Sequence, residues 1–243
     1  ADLTGSVTFL QLDASLGLPT ALTVSTTGNI YVTDIEGDRV WELSPAKAAP
    51  LSAVELVNAA SLRPGPIAPG MLVTLRGVKL RAPEIVFGKI IADVLSLKDS
   101  EMILRVPEDL RSGLLEIDVR DNLVSQFHLT VQVAAASPAL FTDAEGHAVV
   151  VNEDGSLNSV DKPAARGAII VLFGTGQGVG DLPVSLRIGT YAAEVLYSGP
   201  VEAYPGLWQI NARVPAGYLA PGKLPVTVAV GDAVSASVTL DVL

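Results

Sequence analysis

The sequence predicts an all-β protein, with two immunoglobulin-like β-sandwiches in tandem behind an N-terminal four-stranded β unit. Three observations carry that prediction. Short runs of Val, Ile, Leu and Thr alternate with Gly, Pro, Asn and Asp turns along the chain, as in sandwiches and barrels. Helical periodicity is nearly absent; residues 53–60 could hold a helical turn or two before Pro64, Pro66 and Pro69 stop it. The part of the chain after residue 50 also repeats itself in order.

The first 45 residues read as four short strands, 7–12, 21–25, 29–33 and 39–43, with Gly28-Asn29 and Gly37-Asp38 supplying turns. Residues 46–53, rich in Ala and bounded by Pro45 and Pro50, read as a linker. Residues 54–136 and 137–243 are then the two sandwiches, each of the usual size for about seven strands.

The duplication is explicit. Ile67-Ala68-Pro69-Gly70 through Gly77 matches Ala164-Ala165-Arg166-Gly167 through Gly174. Ile85-Val86-Phe87-Gly88 through Val94-Leu95 matches Leu186-Arg187-Ile188-Gly189 through Val195-Leu196, an offset of 101 (Gly189 minus Gly88). Arg105-Val106-Pro107 matches Arg213-Val214-Pro215 at 108 (Arg213 minus Arg105). Ile117-Asp118-Val119 matches Val228-Ala229-Val230 at 111 (Val228 minus Ile117). Gly88 and Gly189 are expected to turn hairpins, and Pro107 and Pro215 to stand at strand ends where a missing N–H does no harm. The second half is longer between Gly174 and Pro183 than the first is between Gly77 and Pro83.

Composition narrows the function. Hydrophobic residues make up 49% of the 243 and charged residues 17%, ample for buried cores and unlike a disordered chain. The formal charge of −10, with 26 acidic against 16 basic residues, argues against nucleic acid and against an anionic membrane surface. Cysteine is absent, which removes disulfides, thiolate nucleophiles and cysteine-held metals. Apolar stretches such as 168–173 fall far short of the roughly 20 residues of a membrane helix, so no membrane insertion is expected. The chain opens without a signal-peptide pattern, and a longer parent protein is expected.

Two resemblances refine the picture. Gly17-Leu18-Pro19, Gly28-Asn29-Ile30-Tyr31-Val32-Thr33-Asp34 and Arg39-Val40-Trp41 resemble an NHL repeat, a β-propeller blade. One blade cannot close a propeller, which again implies a parent protein extending upstream. Val57-Asn58-Ala59-Ala60-Ser61, Ser137-Pro138-Ala139-Leu140-Phe141, Val151-Asn152-Glu153-Asp154-Gly155, Phe173-Gly174-Thr175-Gly176-Gln177-Gly178 and Gly206-Leu207-Trp208-Gln209-Ile210-Asn211 are similar to an uncharacterised C-terminal domain family of secreted proteins from Solibacter and other acidobacteria. The resemblance covers about residues 54 to 243 and implies IPT/TIG-like halves in an exported protein. It transfers no functional residue.

Several motifs invite chemistry and are better read structurally. Gly174-Thr175-Gly176-Gln177-Gly178-Val179-Gly180 has neither dinucleotide nor Walker A spacing, and is expected to be a flexible loop between strands. Asn152-Glu153-Asp154-Gly155, with Asp161, resembles a calcium loop only faintly and reads as a hairpin turn, with weak surface calcium binding left open. His128 sits in an alternating strand and should face solvent; His147 lies in a polar turn near Asp143 and Glu145, without a nucleophile elbow to complete a Ser-His-Asp set. Glu116 and Asp118 are same-face strand neighbours, as in any acidic sheet. Tyr191, Tyr197, Tyr204, Trp208 and Tyr218 gather in the second sandwich, where aromatic residues serve either the core or a binding face.

No catalytic, cofactor-binding or metal-binding residue is therefore assigned, and no cofactor. The expected role is a non-catalytic interaction or structural module, secreted or at the cell surface, at the C-terminus of an NHL-repeat-type protein. The alternative is a carbohydrate-binding accessory domain. Protein and glycan both stay open as partners, and the oligomeric state is not legible.

Overall fold

The structure, a computed structural model, describes residues 19–24, 30–34, 38–43, 54–77, 79–98, 100–217 and 219–243. The chain divides into two compact units, Ala1–Ser52 and Ala53–Leu243.

In the first unit, β1 (Pro19–Val24), β2 (Ile30–Asp34) and β3 (Arg39–Leu43) form an antiparallel sheet in that order. The β2–β3 register runs from Ile30 opposite Leu43 to Asp34 opposite Arg39. Asp38 enters β3 at φ 47, a left-handed conformation that a short polar side chain tolerates. The first of the four expected strands, 7–12, lies outside the described residues.

In the second unit, eight strands come first: β4 (Glu55–Asn58), β5 (Leu72–Arg76), β6 (Pro83–Phe87), β7 (Ile90–Ile91), β8 (Asp93–Lys98), β9 (Glu101–Arg105), β10 (Gly113–Asp121) and β11 (Val124–Val133). They make two four-stranded sheets, β4-β5-β9-β8 and β11-β10-β6-β7. Alternate residues of both turn inward, and Met71, Phe87, Leu104 and Ile117 share one buried cluster.

Nine further strands follow: β12 (Ala139–Leu140), β13 (Val150–Val151), β14 (Ile169–Thr175), β15 (Val184–Ile188), β16 (Tyr191–Pro200), β17 (Trp208–Arg213), β18 (Gly222–Val230), β19 (Ala233–Val234) and β20 (Val238–Val242). They enclose a second buried cluster around Leu172, Trp208, Ile210 and Leu240. The protein is thus all-β and of sandwich architecture, with no helix among the described residues. Residues 55–58, where a helical turn was conceivable, are strand β4: pairing with β5 and burial of Val57 (1% exposed) outweigh a weak local preference.

The duplication is written in the hydrogen bonding. Phe87 opposes Ile90 across Gly88-Lys89, and Ile188 opposes Tyr191 across Gly189-Thr190. Both glycines have positive φ (63° and 59°) and their followers do not, so glycine at the first turn position is required in each. β16 then switches sheets: Tyr191, Ala192 and Ala193 pair with β15, and Glu194 onward pairs with β17. In the first half the same crossing is broken at Ala92, leaving β7 on β6 and β8 on β9. A bulge follows in both, with Leu95 and Leu196 as the extra, exposed residues.

One correspondence differs from the sequence reading. Ile117 opposes Phe87, and it is Val226 that opposes the equivalent Ile188, so the offset at β10 and β18 is 109 (Val226 minus Ile117), not 111. A slip of two residues keeps every side chain on the same face, so alternation alone could not detect it.

Candidate functional site

The glycine run is where the structure departs most from expectation. Gly174 and Thr175 end β14, and the run continues as a bed for the connector between the two buried clusters. A Cβ on Gly174 would stand 2.6 Å from the Ala139 carbonyl oxygen, on Gly176 2.0 Å from that of Ser137, and on Gly178 1.9 Å from that of Ala135. Every second position of the run therefore meets every second carbonyl of an antiparallel segment, with the Ser137 N–H donating to the Gly176 carbonyl at 2.8 Å. A side chain at any of the three would push the connector off. The spacing is that of a strand whose one face has been stripped to let another backbone lie on it; it is not an open loop.

Thr175 closes this joint. It is completely buried, its hydroxyl accepting from the Leu72 N–H at 2.8 Å and donating to the Gly206 carbonyl at 2.8 Å. Asn58 caps Ala60 and Ser61 with Oδ1 and reaches the Ser137 carbonyl with Nδ2 at 3.3 Å. Gly206 lies against the Leu72 side chain, 2.6 Å from where its own Cβ would be. Asn58, Ser137, Thr175, Gly176, Gly178 and Gly206 were singled out as scattered motifs, and the fold gathers them in this one place.

The aromatic residues separate. Trp208 is wholly buried and donates from Nε1 to the Ser198 hydroxyl at 2.9 Å, which fixes the inward face of β16 and β17. Tyr191, at the start of β16, and Tyr204, in a turn, are exposed, 41% and 65%, and Tyr218 lies outside the described residues. Tyr197 is on the outer face of β16 and 45% exposed. Its hydroxyl donates to the Pro200 carbonyl at 3.3 Å, and its Oη and Cζ would lie 2.5 and 2.8 Å from a Cβ on Gly199. To reach a residue two positions on, roughly 7 Å away, the ring must lie along the strand. Asn211 is its cross-strand partner, and Gln209 is that of Gly199; Gln209 Nε2 donates to Asn211 Oδ1 at 2.8 Å. Next along the sheet, Val171 opposes Asn211 and Phe173 opposes Gln209, both part-buried. Sequence reasoning named Tyr197 but missed Gly199, Gln209 and Asn211, whose only signal was polar amides at alternate positions of an apolar strand.

The remaining candidates are held by their neighbours. Asp118 accepts from Ser125 Oγ and Arg120 Nε, both at 2.6 Å, and that hydroxyl and guanidinium hold its carboxyl below the usual carboxylate range. Glu116 lies 3.4 Å from His128 Nδ1, and His128 is half exposed, as its strand position implied. His147 Nδ1 is 3.3 Å from Asp143 Oδ2, but its Nε2 is buried without a hydrogen-bond partner, so no serine hydroxyl completes a triad. Asn152 and Asp154 form a hairpin turn: Asp154 Oδ1 accepts from both the hydroxyl (2.6 Å) and N–H (2.9 Å) of Ser156, which depress its pKa. Asn152 Oδ1 accepts from Asn158. Among the described residues no three His, Cys, Asp or Glu side chains cluster to hold a metal ion. Among the described residues no helix is long and apolar enough to cross a membrane. An open recess of about 650 Å³ lies between the glycine run and Ser198, with Glu108 and Asp181 on its rim.

The fold and joint define the class: an all-β protein of sandwich architecture. No protein-family profile matches the chain, and no curated protein matches it. Solved structures similar to it include SGBP-B of the Bacteroides ovatus mixed-linkage glucan utilization locus, in complex with a mixed-linkage heptasaccharide. That likeness has 16% identity and a TM-score of 0.43, over 88% of this chain and 52% of that one. A tandem of titin immunoglobulin domains is similar at 11% identity and TM-score 0.24, over 73% of this chain and 89% of that one. Domains of the surface layer protein SbsC are similar at 15% identity and TM-score 0.29, over 88% and 34%. The chain spans about half the length of the first of these. At such identities and TM-scores the likenesses do not speak to ligand or activity.

Proposed function

We propose that this chain is a non-catalytic interaction module working outside the cytoplasm, as the C-terminal part of a secreted NHL-repeat-type protein of the acidobacterial kind named above. Residues 1–45 are then the end of a propeller, and the second unit is the part that meets a partner. The observation that supports this reading is the joint at Thr175. Leu72, Thr175 and Gly206 share one buried hydroxyl, and the glycine run admits the connector backbone without room for a side chain. Such a joint gives the sandwich pair one fixed geometry, so a partner binds a face already ordered and little conformational entropy is lost on association.

The test is to immobilise the full chain and present cell-wall material, soluble polysaccharides and surface-protein extracts, then weigh what elutes by mass spectrometry. Saturable retention of a ligand whose mass is unchanged is expected. Retention of nothing, or elution of a cleaved ligand, overturns the reading.

A further inference from the structure

The geometry points to the outer face of β14, β17 and β16 as a binding platform for a neutral sugar chain, with Tyr197 as its stacking surface and Gln209 and Asn211 as its hydrogen-bonding pair. This rests on the binding-module reading above and names the ligand class of that module.

Three features of the face select the ligand. The first is the ring. Tyr197 is pinned along its strand by the Pro200 carbonyl and by the absence of a side chain at Gly199. A recumbent aromatic presents a flat π-surface, electron-rich at its face, to the C–H bonds that line one side of a pyranose. Because the ring is already held, its two side-chain torsions lose little freedom on binding.

The second is the amide pair. Gln209 Nε2 spends one hydrogen on Asn211 Oδ1, which holds the two amides against each other on the outer face of β17. Gln209 Oε1 is left to accept and Asn211 Nδ2 to donate. Neighbouring hydroxyls of a sugar are each donor and acceptor, so an acceptor beside a donor suits them. Neither amide titrates, so the recognition is independent of pH.

The third is charge. The two rows are Tyr197–Asn211–Val171 and Gly199–Gln209–Phe173, and neither contains Asp, Glu, His, Lys or Arg in a chain of net charge −10. The nearest charges along the strands, Glu194 and Arg213, pair with each other at 3.1 Å. A neutral patch in an acidic protein complements an uncharged ligand and repels no part of it. With strands about 4.8 Å apart and alternate residues about 7 Å apart, the patch spans roughly 10 by 7 Å, the footprint of one to two pyranose rings.

The duplicated half serves as an internal comparison. At the same ladder positions it has Ser96–Ile103–Thr74 and Lys98–Glu101–Arg76, one row without an aromatic and one fully charged. The platform belongs to the second sandwich alone.

The test is affinity electrophoresis of the full chain in native gels containing hydroxyethyl cellulose, xylan, galactomannan or dextran, with polygalacturonate as the charged comparison. Retardation is expected in at least one neutral gel, weakened tenfold or more by Tyr197→Ala and by Gln209→Ala. Tyr204→Ala, which removes an exposed loop aromatic, should change it less than about threefold. Circular dichroism matching the parent shows that each variant is folded. The inference is overturned by no retardation in any neutral gel, by retardation that survives Tyr197→Ala, or by preference for polygalacturonate. Saturable capture of a surface protein without glycan retardation would sink this inference and leave the module reading standing. Shortening of the gel polysaccharide would sink both.

Discussion

The Leu72 amide donates to the hydroxyl of the fully buried Thr175 at 2.8 Å, joining residues 103 positions apart. The same hydroxyl donates onward to the Gly206 carbonyl, so one buried side chain satisfies two backbone groups at the joint. Thr175→Val keeps the shape and removes both bonds. It should lower unfolding stability by about 1–3 kcal/mol, the cost of leaving such groups unsatisfied, while Thr175→Ser stays close to the parent. Urea unfolding followed by tryptophan emission measures both.

The glycine run makes a sharper contrast. Gly176 has φ +85 and no room for a Cβ, so Gly176→Ala combines backbone strain with a collision against the Ser137 carbonyl. It should cost more than about 3 kcal/mol, or prevent folding. Gly65 has open space and no positive φ, so Gly65→Ala should be neutral or stabilise by up to about 1 kcal/mol. Thermal melts of the two variants side by side check the pair; equal effects would show that the run is not a close-approach site.

Acid should weaken the fold through Asp118 and Asp154. Both carboxyls are held below the ordinary value of 3.8, by Ser125 and Arg120 in one case and Ser156 in the other. A depressed folded-state pKa contributes stability that is fully present above the unfolded value and is lost as pH falls through the folded one. Stability is therefore expected to be flat in these groups above about pH 5 and to decline below about pH 4. Ser125→Ala should move the Asp118 midpoint up toward 3.8, read by NMR titration of its carboxyl carbon.

Two cross-strand ion pairs repeat with the domain: Arg105 with Asp93 at 2.6 Å and Arg213 with Glu194 at 3.1 Å. Both are largely solvated, so Arg105→Ala and Arg213→Ala should each cost less than about 1 kcal/mol, and less again at high salt. Denaturant midpoints at two ionic strengths measure this.

Much of the architecture was legible because alternation and turn chemistry are local. Glycine first in the turns at Gly88 and Gly189, proline after the strands at Pro107 and Pro215, and period-two burial in β10 each declare themselves within a few residues. The offset at β10 did not, since a two-residue slip leaves the pattern unchanged.

The sequence by itself determined that this chain forms β-sheets and that the part after residue 50 repeats itself in order. Only the tertiary structure decided what the glycine run is for, and which tyrosine faces outward beside which amides. The reason is range. A strand's period reports which face is buried, but not which distant backbone lies on it; Gly176 and Ser137, or Tyr197 and Asn211, acquire their meaning only when pairing brings them together.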